Sequence, residues 1–137
     1  VIIHGTRILS AELLNSVTCR FINIHAGITP KYRGVHGGYW ALANNDPLNC
    51  GVTVHLVDKG IDTGEIITQD NILPTPSDNF ITYPYLQLAK GMELLLRVIK
   101  DHFDGKLLTK KAVGKSVLRH HPTLWQYLAN RMMKKIK

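Results

Sequence analysis

Asn23 and His25 close an apolar run, Phe21-Ile22-Asn23-Ile24-His25, and Asp62 stands in a turn bracketed by Gly60 and Gly64. On an extended chain, residues two apart point to the same side. An amide offers an N–H donor, and an imidazole offers a donor or an acid/base site near neutral pH. A carboxylate beside the ring favours its charged form. Together the three groups can hold a developing oxyanion and handle one proton. No Gly-x-Ser-x-Gly elbow occurs, and neither Cys19 nor Cys50 sits in an activating motif. Direct attack on a carbonyl by a substrate amine or by water is therefore the natural reaction. A metal alternative would draw on His25, His36, His55 and Asp62. No His-x-x-x-His or His-Glu-x-x-His spacing supports it, and no metal is expected.

The elements that must position these groups read as strands alternating with helices. Residues 1–4 form a short strand, and Ser10 caps a helix that starts at Ala11. Residues 21–24 form the next strand, residues 26–34 an irregular loop, and residues 38–43 a helix stopped by Asn44-Asn45-Asp46-Pro47. Residues 51–57 alternate, with Val52, Val54 and Leu56 on one face and Thr53, His55 and Val57 on the other. A strand at 65–72 follows. Ile81, Tyr85, Leu88, Met92, Leu95 and Ile99 then mark an amphipathic helix ending near Phe103, with Thr82 as its N-cap and Pro84 in its first turn. A last helix spans residues 122–134. This order predicts an α/β layered sheet, in which ligands bind beyond the carboxyl ends of strands. If the strands are parallel neighbours, Arg7, the Asn23/His25 pair and the Asp62 turn meet on one rim.

Composition narrows the classes. The chain has 137 residues, 45% of them hydrophobic, and that length suits one domain with a real core. It begins inside a strand, as a segment of a longer protein would. No apolar run is long enough to span a bilayer. The cysteines fit a reduced, cytoplasmic setting, each as a buried or half-buried small residue. Residues 1–104 hold eight Lys/Arg against ten acidic residues, whereas residues 105–137 hold nine Lys/Arg and no acid. The chain thus divides into a core, 1–104, and a basic extension, 105–137, helical in part, whose bland reading is a solvated or disordered face. The other class this tail allows is a nucleic-acid or acidic-partner module, with Trp125 and Tyr127 stacking on bases. Helix spacing favours a core position for both rings, and nucleic acid is not the expected partner.

Five stretches, in order, resemble the folate-dependent formyltransferases: Gly5-Thr6-Arg7-Ile8-Leu9-Ser10, Ile22-Asn23-Ile24-His25, Pro30-Lys31-Tyr32-Arg33-Gly34, Gly51-Val52-Thr53-Val54-His55 and Gly60-Ile61-Asp62-Thr63-Gly64. The resemblance covers residues 1–75. It implies a Rossmann-like open twisted sheet with flanking helices, here without its N-terminal strands and their Gly-rich loop. It also implies formyl transfer from 10-formyltetrahydrofolate to an amine. Asn23, His25 and Asp62 are the catalytic residues on this basis. The Asn23 amide and a protonated His25 would hold the oxyanion, while Asp62 would charge His25 and help move the proton. Arg7, Ile8, Leu9, Asp58, Gly60 and Ile61 would contact the folate, and His36 would support the aspartate. The family's usual Pro-Ser-Leu-Leu-Pro is Ala26-Gly27-Ile28-Thr29-Pro30 here, which suggests a different acceptor. The short tail suits a small phosphorylated or nucleotide-linked sugar amine. Water as acceptor, giving a deformylase, remains the alternative, and an exposed sheet edge would allow a homo-oligomer.

Overall fold

The alternation in residues 22–25 and 51–56 becomes two neighbouring strands in the computed structural model, which describes residues 1–136. In chain order the elements are β1 (Ile2–Ile3), α1 (Ala11–Ser16), β2 (Ile22–His25), β3 (Arg33–Gly34), α2 (Gly37–Ala43), a 3-10 turn at Pro47–Asn49, β4 (Gly51–Leu56), β5 (Ile66–Asn71), α3 (Tyr83–Phe103), β6 (Leu118–Arg119) and α4 (Leu124–Lys134). The main sheet has the order β1-β2-β4-β5, and β3 and β6 pair separately.

Period two sorts the sheet's faces. Ile24, Val52 and Val54 pack against Leu94, Leu95 and Val98 of α3 in one apolar cluster. On the opposite face the register sets Asn23 against His55 and His25 against Thr53. The expected parallel arrangement is corrected here. β1 runs parallel to β2, but β4 runs antiparallel to both β2 and β5. The Asp62 turn therefore leaves the sheet near the start of β2, where Ile22 faces Leu56, and folds back over the polar face. The site lies on that face and not on a shared rim of strand ends.

α3 is present, but its buried face is rotated from the predicted one. Gln87, Gly91, Leu94, Leu95 and Val98 point inward, while Ile81, Tyr85 and Met92 are exposed. Gly91 explains the rotation. A Cβ there would come 2.4 Å from Ile24 Cγ2, so the glycine lets the helix backbone lie directly on the sheet. Thr82 precedes the helix without a side-chain cap bond. It instead accepts from the Asn79 N–H and donates to Asp78.

The basic extension folds back onto the core. Lys110 bridges to Ile66 at the sheet, and β6 pairs in parallel with β3. α4 starts at a Thr123–Gln126 capping box, and Asn130 donates to the Tyr39 hydroxyl at 3.0 Å. Lys134 donates to the Ala43 carbonyl. Tyr127 packs with Tyr39 and Phe80, whereas Trp125 is exposed, against its predicted core position. Cys50 is buried and its thiol is pushed up to about 12 by that burial. Cys19 is exposed, not half-buried. Among the described residues no helix is long and apolar enough to cross a membrane.

Replacing Gly91 with Val should destabilise the fold by about 1–3 kcal/mol, the usual scale of core overpacking. Urea unfolding measures it. Helix propensity predicts the opposite sign, so an unchanged or raised midpoint would contradict this packing.

Candidate active site

Asp62 gathers the polar face into a site. Its backbone adopts φ 51°, in the left-handed region where Asp is tolerated better than most residues. That bend aims the carboxylate back at β2. The Gly34 N–H donates to Oδ2 at 2.8 Å, and His25 Nδ1 lies 3.3 Å from the same oxygen. Asn23 Nδ2 donates to Oδ1 at 3.4 Å, and His55 Nε2 lies 3.6 Å from it. Burial alone would push the Asp62 carboxyl up. Its polar neighbours, His55 first and then His25 and the Gly34 N–H, outweigh it and hold the group below its ordinary value.

Neighbouring carbonyls, which only accept, fix the proton positions. His25 Nε2 is 2.7 Å from the Tyr32 carbonyl and must donate to it. In the neutral ring, Nδ1 is then bare and faces Asp62. Burial lowers the His25 pKa, and the opposing pull of Asp62 and of the Tyr32 carbonyl does not restore it. His55 Nδ1 is 2.6 Å from the Leu56 carbonyl and donates there, which turns Nε2 toward Asn23 Nδ2 at 3.2 Å and Asp62 Oδ1 at 3.6 Å. The His25 N–H on Nε2 is engaged by the Tyr32 carbonyl, and Nδ1 and the Asp62 carboxylate flank the place where one further proton would sit.

The loop that departs from the family pattern makes this arrangement possible. A Cβ on Gly27 would come 2.3 Å from the Tyr32 carbonyl oxygen and 2.7 Å from His25 Nε2. Gly27 therefore does more than loosen the backbone, because it allows the Tyr32 carbonyl to reach His25.

These residues line a cleft of about 590 Å³. Arg7, Ile8 and Leu9, with Asp58, Gly60 and Ile61, line it too, so the turn after β1 and the turn after β4 meet there. His36 does not support the aspartate. It caps α2 in a left-handed conformation, with Nε2 2.9 Å from His121 Nδ1 and its ring against Phe80. His55 occupies the place expected for His36. The sequence reading named His55 only as a possible metal ligand and a strand residue, because its place opposite Asn23 follows only from the register of β2 against β4. Among the described residues, no group of three or more His, Cys, Asp or Glu is arranged to hold a metal ion.

A family model described as formyl transferase matches residues 1–99. Methionyl-tRNA formyltransferase of Thermodesulfovibrio yellowstonii is 35% identical over 114 residues, covering 83% of this chain and 36% of that protein. The chain spans about a third of the length of the curated relatives it matches. A 4-N formyltransferase from Francisella tularensis superposes with a TM-score of 0.74 at 28% identity, over 86% of this chain and 48% of that one. The N-formyltransferase of Helicobacter canadensis, solved with folinic acid and dTDP-3-aminofucose, superposes with a TM-score of 0.69 at 26% identity, over 82% of this chain and 41% of that one.

The lowered His25 pKa sets the sign of a pH dependence. Below the ordinary imidazole value of 6.5 the unfolded chain binds a proton that buried His25 resists, so stability falls as pH drops through that value. His36, lowered by burial and by His121, contributes in the same direction. Asp62, depressed below 3.8, contributes stability that is lost only at still lower pH. Urea midpoints taken from about pH 7 to pH 5 should therefore fall, and the fall should be shallower in His25→Gln. An unchanged slope would show that His25 is not held neutral. Gly27→Ala should also lower the midpoint, through loss of the Tyr32–His25 contact.

Proposed function

This chain belongs to the formyl transferase family, and we propose that it carries the catalytic centre for moving a formyl group from 10-formyltetrahydrofolate to the amine of a small acceptor. One observation carries the reading: Asn23 and His25 both reach the Asp62 carboxylate at the surface of one cleft. The cleft falls within the usual range for small-molecule sites. Ile8 is 70% exposed and Ile61 37% exposed on its lining, uncovered apolar groups suited to a flat heteroaromatic ring. Arg7 and Leu9, with Asp58 and Gly60, complete that donor wall. The folinic acid in the Helicobacter canadensis structure supports a folate as donor.

The donor, when bound, supplies a formyl carbon activated by its nitrogen. The chain's own groups handle charge and protons. Attack by the acceptor amine forms the new C–N bond and releases a proton, which is taken up between His25 Nδ1 and Asp62 Oδ2; as the bond from the formyl carbon to the donor nitrogen breaks, that proton passes to the leaving nitrogen, and tetrahydrofolate and the formylated amine depart. Asn23 turns an amide N–H from its long contact with Asp62 toward the developing oxyanion. His55, fixed through Nδ1, keeps Nε2 toward Asn23 and Asp62 and so positions both. Holding donor and acceptor together contributes on the order of 7–11 kcal/mol in favourable cases. The acceptor we favour is a small amine carrying phosphate or a nucleotide. The amino-sugar nucleotide bound by the Helicobacter canadensis relative supports this, although curated relatives include methionyl-tRNA formyltransferases.

Asn23→Ala should lower formyl transfer to a dTDP-amino sugar by about 10²–10³-fold, while calorimetric binding of 5-formyltetrahydrofolate is retained. Asp62→Asn, which leaves no carboxylate for the proton, should lower turnover at least as far. Wild-type turnover in both variants, or no binding of 5-formyltetrahydrofolate by the wild-type chain, would refute the reading.

A further inference from the structure

The cleft is also lined by residues 34–36 and 118–121, which form a second wall. Residues 118–121 lie beyond the stretch matched by the family model. They are held in place by Gly34 pairing with Arg119, by the Trp40 indole N–H donating to the His120 carbonyl at 2.9 Å, and by the His36–His121 contact.

Arg119 gives this wall one cation without an ion-pair partner among the described residues. Arg119 stacks over the Trp40 and Tyr32 rings at 5.4 and 5.7 Å. The Nε atoms of Arg119 and of its strand neighbour Arg33 are buried with no hydrogen-bond partner, and among the described residues neither arginine forms an ion pair. Arg119 is the one of the two on the cleft lining, and among the described residues no protein acceptor engages its guanidinium, so an anion would not have to displace one.

The histidine pair adds directed donors. One N–H lies between His36 Nε2 and His121 Nδ1, so the partner that accepts it must carry its own proton on the outer nitrogen. A neutral pair therefore presents one free N–H and one bare nitrogen. One further proton turns both outer nitrogens into donors. N–H donors on the same cleft lining as an arginine without an ion-pair partner suit a phosphate oxyanion.

We propose that His36, His121 and Arg119 form an anion subsite that binds a phosphate group of the acceptor and so selects phosphorylated amines. Assigning the phosphate to the acceptor rests on the formyl-transfer reading, whereas the binding of phosphate does not.

Inorganic phosphate and uridine diphosphate, titrated into the chain at low salt, test both parts. The imidazole resonances of His36 and His121 should shift saturably with either probe in NMR spectra. Uridine diphosphate should bind more tightly if the anion belongs to a nucleotide-linked acceptor, and equal affinity would overturn that assignment. His121→Gln and Arg119→Leu should each weaken binding about tenfold, with unchanged circular dichroism confirming the fold. Lys115→Ala, an exposed charge elsewhere, should leave it unchanged. The subsite is refuted if His36 and His121 do not shift, or if Lys115→Ala weakens binding as much as His121→Gln. Donor-analogue binding in the same samples separates this failure from a failure of the formyl-transfer reading.

Discussion

A carboxylate taken out of water must be met by donors, and Asp62 meets that demand in a way that organises the chain around it. Its side chain is only 12% exposed. An isolated buried anion would neutralise or force the structure open. The Gly34 N–H, the Asn23 amide and the rings of His25 and His55 come from three separate stretches of chain. Meeting the anion therefore fixes the loop that leads into β3, the face of β2 and the bend after β4. The left-handed backbone at Asp62 is part of the same constraint. Local strain of this kind persists only where surrounding contacts over-determine it.

Close approaches carry that constraint outward. The sheet's second face is dry and apolar, and Gly91 lets α3 lie on it without a gap. On the polar face, Gly27 brings the Tyr32 carbonyl to His25, and Gly38 makes room for buried Gln87. Tyr32 is held in turn by its hydroxyl donating to Asp46 at 2.7 Å, with Arg119 above its ring. The chain beyond the family match is thus in mechanical contact with His25 through one tyrosine.

Local periodicity made part of this legible. Asn23 and His25 share a face because strands repeat every two residues, and the same rule placed Val52 and Val54 in the core. Strand direction is not a local property. The long connection from His25 to Gly51 reads as a crossover to a parallel strand, yet β4 returns antiparallel and brings the Asp62 turn in over the face. For the same reason His55 was read as a possible metal ligand and not as a neighbour of Asn23, although the alternation around Val54 already put it on the polar side. α3 shows the opposite failure. Its helical period was plain, but Gly91 and Gln87 overrode the largest apolar residues in choosing the inward face. Composition marked the C-terminal segment as basic, and could not show that it pairs with β3 and closes a wall of the cleft.

The most direct test reads the protonation of one ring. Nitrogen-15 NMR of His25 at neutral pH distinguishes a neutral imidazole from an imidazolium and identifies the protonated nitrogen. The expected spectrum shows a neutral ring with the proton on Nε2 and a bare Nδ1 beside Asp62. In Asp62→Asn, where the attraction of the carboxylate is gone, the ring should be still harder to protonate. A doubly protonated His25 at neutral pH would contradict this, because Nδ1 would then be a standing donor and the pair could not accept the proton of an attacking amine.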